Sequence, residues 1–238
     1  MTDDPRDRLR SMVANGDGSS PALSRICALA VSELAVSGVG LTLVDRDDGV
    51  DPHQRLVRAT DPVAARLEDL QLTVGEGPGL AAVASGAAVL VPDLAAARAR
   101  WPAFTAEAAQ AGVSAVFAFP LALGAIRLGS LDCYRTSTGP LTVRQAGDAL
   151  VLAEMAFAAV LAEVAGHDQD DLGWISDIHA EVHQASGVVM YELGITMQAA
   201  LLRIRAYAYA NELPIAVVAG RIVNHELSLD TQERRKNE

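Results

Sequence analysis

The chain has 238 residues, 50% of them hydrophobic and 21% charged, with a formal net charge of -11. At roughly 150 residues per domain this allows one large domain, or an ordinary one with a small companion, while the acidity excludes indiscriminate adhesion to nucleic acid or anionic lipid, so an anionic partner must be met by a local patch. The only lysine is Lys236, in the tail "ERRKNE", which removes the residue that a phosphate-cradling, Schiff-base or receiver-type phosphorylation site requires.

No uncharged apolar run approaches the roughly 18 residues of a membrane span, and "MTDDPRDRLR" is charged throughout, unlike a signal peptide. The expectation is a cytoplasmic protein with no membrane partner. Residues 1–21 are charged, then rich in Gly and Ser, and read as a mobile leader. In "PALSRICALAVSELAVSG" the spacing of Leu23, Ile26, Ala30 and Leu34 predicts a helix that ends before Gly38. "VGLTLVD" reads as a strand, the Asp-rich "DRDDGVD" as a turn, and "QRLVRAT" as its hairpin partner.

The glycines of "VGEGPGLAAVASG" predict a loop entering a helix near Pro78, with the strand "AAVLV" after Gly86. Such a loop can cradle phosphate through its amides. Here no Lys-Ser/Thr ending follows, the dinucleotide spacing is absent, and Glu76 would repel an anion. "RWPAFTAEAAQAG" predicts a helix, "VSAVFAFPLAL" and "IRLGSLDCYRT" two strands joined through Gly124, and Leu141 to Ala165 a long helix. Strand alternation puts Leu131 and Cys133 on one face and Asp132 and Tyr134 on the other. Cys133, like Cys27, is therefore read as a small buried hydrophobe, and Tyr134 and Arg135 as rim residues. This order predicts an α+β fold, an antiparallel sheet flanked by helices.

Residues 22–165 resemble an actinobacterial GAF domain through "VGEGPGLAAVASG", "VLVPDL", "AVFAFPL", "LGSLDCYRTSTGPLT" and the closing helix. The resemblance implies a sensory or dimerising unit with a possible small-molecule ligand whose contact residues stay unknown. No cofactor is expected.

Residues 166–176 read as a linker and 230–238 as a charged tail. Between them, helices are expected over 175–191, 196–212 and 214–227. The apolar positions are Ile178, Val182, Ala185 and Val189 in the first and Met197, Ala200, Leu201, Ile204 and Ala208 in the second. Ile215, Val218, Ala219, Ile222 and Val223 follow in the third. Thr196 is a candidate N-cap. Together they make a small three-helix bundle.

Residues 177–229 resemble the ANTAR domain, an RNA-binding antitermination module. The likeness rests on Ala185 and Gly187 in "QASGVVM", the "LGIT" turn, Ala200, Arg205 and Ala208 in "AALLRIRAYAYA", and "VVAGRIV". Many members carry Lys where this chain has Ser186, which removes a positive charge and leaves a hydroxyl donor. With the apolar stripe turned inward, Arg205 with Tyr209 and Arg203 with Tyr207 form i, i+4 pairs. A guanidinium beside an aromatic ring suits an RNA loop, gripping phosphate while the ring stacks on a base. The alternative is that the arginines pair with Glu212 or Glu192 and the tyrosines cover the bundle. Residues 177–238 hold six Arg or Lys against eight Asp or Glu, so recognition must rest on few phosphate contacts.

The residues expected at the RNA are Arg205, Tyr209, Arg203 and Ser186, with Ala185, Gly187, Ala200 and Ala208 as close-packing positions. His179 and His183 stand at i and i+4, but "HAEVH" lacks the third ligand and the adjacent Glu of a zinc hydrolase helix, so no metal is expected. The reading is a cytoplasmic, non-catalytic, homodimeric regulator that promotes transcription antitermination by holding RNA hairpins in nascent transcripts. Its rival is a small-molecule sensor whose bundle binds a protein partner.

Overall fold

The computed structural model describes residues 5–14, 21–45, 53–165, 180–211 and 213–229. Its centre is a five-stranded, wholly antiparallel sheet of β1 (Gly38–Asp45), β2 (His53–Ala59), β3 (Val89–Val91), β4 (Ala115–Leu123) and β5 (Ile126–Arg135), in the order β2-β1-β5-β4-β3. Helices cover both faces. On one lie α1 (Pro5–Ala14), α2 (Ala22–Leu34) and α6 (Val143–Ala165); on the other lie α3 (Pro62–Val74), α4 (Pro78–Ser85) and α5 (Pro102–Gln110). This is the expected sheet flanked by helices, with a GAF-like fold, followed by the bundle α7 (Ala180–Leu193), α8 (Met197–Ala210) and α9 (Ile215–Val223).

Side-chain alternation assigns each strand residue to one of two cores. Leu131 and Cys133 join Phe117, Phe119 and the α2 and α6 residues Ile26, Cys27, Leu152 and Phe157 on one side. Both cysteines are buried there, and burial pushes both thiols up, Cys27 to about 12. Tyr134 points the other way and packs with Val116, Trp101 and Phe104. It is not a rim residue as expected, because β5 is a central strand covered on both faces. Its hydroxyl donates to Asp61 Oδ1 at 2.9 Å. Arg135 does lie half-buried at the rim, donating to the carbonyls of Leu34 and Ala35.

Two segments depart from the expected pattern. Part of the supposed leader is α1, docked by Leu9, which is fully buried, and by Arg8, which reaches Glu33 at 2.5 Å and the buried Asp148 at 3.0 Å. Apolar periodicity gives no warning of a helix held so largely by ion pairs. The unforeseen α3 is capped by Asp61, whose carboxylate accepts from Val63 N and Ala64 N, with Pro62 in its first turn. Its inner face carries Glu68 and Gln71 into the protein, which breaks the apolar stripe that periodicity looks for.

Helix α6 has the length and mean hydropathy of a membrane span. Its inner face, with Leu152, Ala156, Phe157 and Val160, packs on the sheet.

In the bundle the expected stripes are buried: Val182, Ala185 and Val189 in α7, Ala200, Leu201, Ile204 and Ala208 in α8, and Ile215, Val218, Ala219 and Ile222 in α9. Met197 and Val223 are half-buried. Ile178 falls outside the described residues. Thr196 caps α8 by accepting from Ala199 N at 3.2 Å. Pro214 stands at the N-cap of α9, one residue before the helix.

Candidate functional site

The glycine-rich stretch 75–79 is a structural corner. Gly75 ends α3 in the left-handed region at φ 71, where its N–H returns to Gln71 O. Glu76 Oε1 accepts from Ala103 N and Phe104 N and so caps the start of α5. Pro78 opens α4, and the Gly79 amide is taken by Gln71 Oε1 at 2.8 Å. A Cβ on Gly79 would overlap Asp132 Oδ2; the bare α-carbon lets β5 and α4 close around that carboxyl group.

Between α3, α5 and the sheet lies a small space of about 10 Å³, lined by Ala64, Leu67, Gln71, Phe104 and Asp132 among others, room for about one water. Glu68 and Asp132 are both buried. Glu68 Oε2 accepts from Thr42 Oγ1 at 2.9 Å and from Gln71 Nε2 at 3.1 Å, and the same Nε2 donates to Asp132 Oδ2 at 2.8 Å. Asp132 Oδ1 is buried without a hydrogen-bond partner. Burial pushes the Asp132 carboxyl up to about 6, and burial together with the neighbouring Asp132 charge holds Glu68 well above the usual carboxylate range. Burial thus favours the protonated form of both carboxyl groups, and both residues line the small space. Sequence alternation placed Asp132 on this face, but nothing local announced its meeting with α3 across 61 residues.

The structure separates the RNA candidates into three environments. Tyr209 is open, 59% exposed, on the outer side of α8. Arg203 and Tyr207 are half-buried, Tyr207 against the bundle core. Arg205 turns towards the GAF-like part, where its Nε donates to Leu72 O at 2.6 Å. Ala185, Ala200 and Ala208 are fully buried.

Two expectations are corrected. Ser186 is 2% exposed and its hydroxyl donates to Val182 O at 2.8 Å, one turn back in its own helix, so it presents no donor outward. Gly187 is not a close-packing position: a Cβ there meets nothing within 4 Å. His179 and Glu212 lie outside the described residues, and His183 is half-buried in α7. No three metal-ligating side chains gather among the described residues.

No family model matches the chain and no curated protein matches it. Solved structures do. The GAF domain of a phosphoenolpyruvate-protein phosphotransferase from Acinetobacter aligns at 12% identity and TM-score 0.52, over 71% of this chain and 100% of its own. The corresponding GAF domain from Coxiella burnetii aligns at 15% identity and TM-score 0.52, over 68% of this chain and 94% of its own. Escherichia coli SdiA aligns at 12% identity and TM-score 0.52 over 92% of this chain and 97% of its own. At these identities the likeness concerns the fold alone, which is GAF-like.

Proposed function

We propose that the chain is a non-catalytic cytoplasmic regulator in which the GAF-like part senses a small molecule and the bundle is an ANTAR-type RNA-binding unit that promotes antitermination at stem-loops of nascent transcripts. One observation carries the RNA half of this reading. Burial of the apolar stripe of α8 leaves Tyr209 open to solvent one turn from Arg205, the pairing of stacking surface and guanidinium that single-stranded loops accept. The sensory half is supported by the likeness of the N-terminal part to solved GAF domains. A gel shift against transcripts from the chain's own genomic neighbourhood, with and without a metabolite extract, tests both halves: a shift that the extract changes supports them, and no shift under either condition removes the RNA reading.

Dimerisation belongs to the same proposal. Val143, Leu150 and Leu161 of α6 expose large apolar side chains, Val143 at 93%, and two linked bundles would raise avidity without a new kind of contact. Light scattering at micromolar concentration is expected to give a dimer. The alternative, a bundle that binds a protein, is favoured by Tyr191, 88% exposed, and by the exposed Leu202 and Val217.

A further inference from the structure

Helix α3 serves two neighbours. Glu68 and Gln71 face the sheet and the cavity. The next residue, Leu72, is 1% exposed, yet it belongs to the apolar cluster of the bundle with Leu201, Ile204 and Ala208 rather than to either core of the GAF-like part. Its carbonyl lies in the last turn of α3, where helix geometry leaves acceptors without an intrahelical partner. Arg205 supplies the donor, from 133 residues away. A guanidinium at a helix C-terminus also meets the negative end of the helix dipole. Gly75 borders this contact: a Cβ there would lie 3.4 Å from an Arg205 guanidinium nitrogen, an ordinary contact distance.

Arg205 is thus engaged by a partially negative surface inside its own chain, the same kind of partner that an RNA phosphate would be. Resting on the RNA reading above, we infer that α3 docking and RNA binding compete for Arg205, so that the GAF-like part holds the bundle in a masked arrangement through the end of α3. Because α3 also lines the small space beside Glu68 and Asp132, any shift of α3 there loosens the seam. The coupling is reciprocal: whatever weakens docking strengthens RNA binding, and RNA weakens docking.

Two substitutions push the seam in opposite directions in the full-length chain. Leu72→Ser removes an apolar side chain whose burial is in the bundle. Gly75→Asp places a carboxylate beside the guanidinium, in a left-handed conformation that Asp and Asn adopt more readily than most residues; Gly75→Asn is its neutral control. The probe is a fluorescent pool of mixed-sequence RNA stem-loops, with hydrogen exchange over residues 69–75 and 203–209 as the measure of the seam itself. Leu72→Ser is expected to raise exchange in both segments and to tighten RNA binding about tenfold, within the range usual for coupled sites. Gly75→Asp should weaken binding several-fold relative to Gly75→Asn.

Wild-type RNA affinity in either a seam-opened Leu72→Ser chain or a Gly75→Asp chain overturns the competition while leaving the RNA reading intact. Unchanged exchange in a folded Leu72→Ser chain overturns the seam. If neither the wild type nor the opened chain binds RNA, the RNA reading fails and the inference with it. Should Leu72→Ser not fold, the Gly75 pair decides alone.

Discussion

Gln71 Nε2 lies 2.8 Å from Asp132 Oδ2 and 3.1 Å from Glu68 Oε2, so a single amide bridges two buried carboxyl groups from different layers of the fold. Each carboxyl is raised by burial, Asp132 to about 6. A carboxyl group raised on folding contributes stability below its unfolded pKa and loses it as pH climbs through the folded value. The fold is therefore expected to weaken from about pH 4 to pH 7. Asp132→Asn keeps an acceptor for Gln71 without the charge, and it should gain roughly 1–3 kcal/mol over the wild type at pH 7 and nothing near pH 4. Urea denaturation at both pH values checks this.

Asp61 joins the N-terminus of α3 to Tyr134 of β5. Asp61→Ala removes the helix cap and the phenol's acceptor together, and a loss of about 1–2 kcal/mol is expected. Tyr134→Phe keeps the cap and should lose less. Equal losses from the two changes in thermal denaturation would assign the whole effect to the hydroxyl.

At Gly129 a Cβ would collide with the backbone carbonyl of Thr42 on the neighbouring strand. Backbone cannot swing aside as a side-chain tip does. Gly129→Ala is expected to cost about 1–3 kcal/mol or more, measurable as a lowered denaturation midpoint.

The RNA candidates divide by exposure. Tyr209→Ala should weaken stem-loop binding by about 1–3 kcal/mol without changing its salt dependence, because stacking releases few counterions, and should leave stability within about 0.5 kcal/mol. Ser186→Ala should leave RNA affinity alone, since its hydroxyl is spent on Val182 O. Arg205→Ala is not a neutral surface change: with its partly buried bond to Leu72 O removed, about 1 kcal/mol of stability should go once solvent screening is allowed for. Anisotropy titrations at two salt concentrations, with melting curves, separate these effects.

Much of the architecture was legible because it is written in short-range apolar spacing. Leu23, Ile26, Ala30 and Leu34 give α2, alternation around Cys133 assigns the faces of β5, and the stripe from Ala200 to Ala208 orients α8. What stayed hidden depends on distant polar partners. Arg8 gains meaning only beside Asp148, Asp132 only beside Gln71, and Arg205 only beside the Leu72 carbonyl. Each pair is separated by more than 60 residues, and periodicity carries no information at that range. Ser186 misled for a related reason: its residue type advertises a donor, whereas its position in α7 decides where that donor points.

Helix α3 is gripped from outside at both ends, by Tyr134 through Asp61 and by Arg205 through Leu72. With the first grip as fulcrum, the helix is a lever. At 1.5 Å of rise per residue, Leu72 stands about 16 Å from Asp61, so a tilt of about 4° carries it roughly 1 Å. Glu68 and Gln71 lie most of the way along that arm, so a small push beside them reaches the far end slightly enlarged, and the weaker grip is the one that yields.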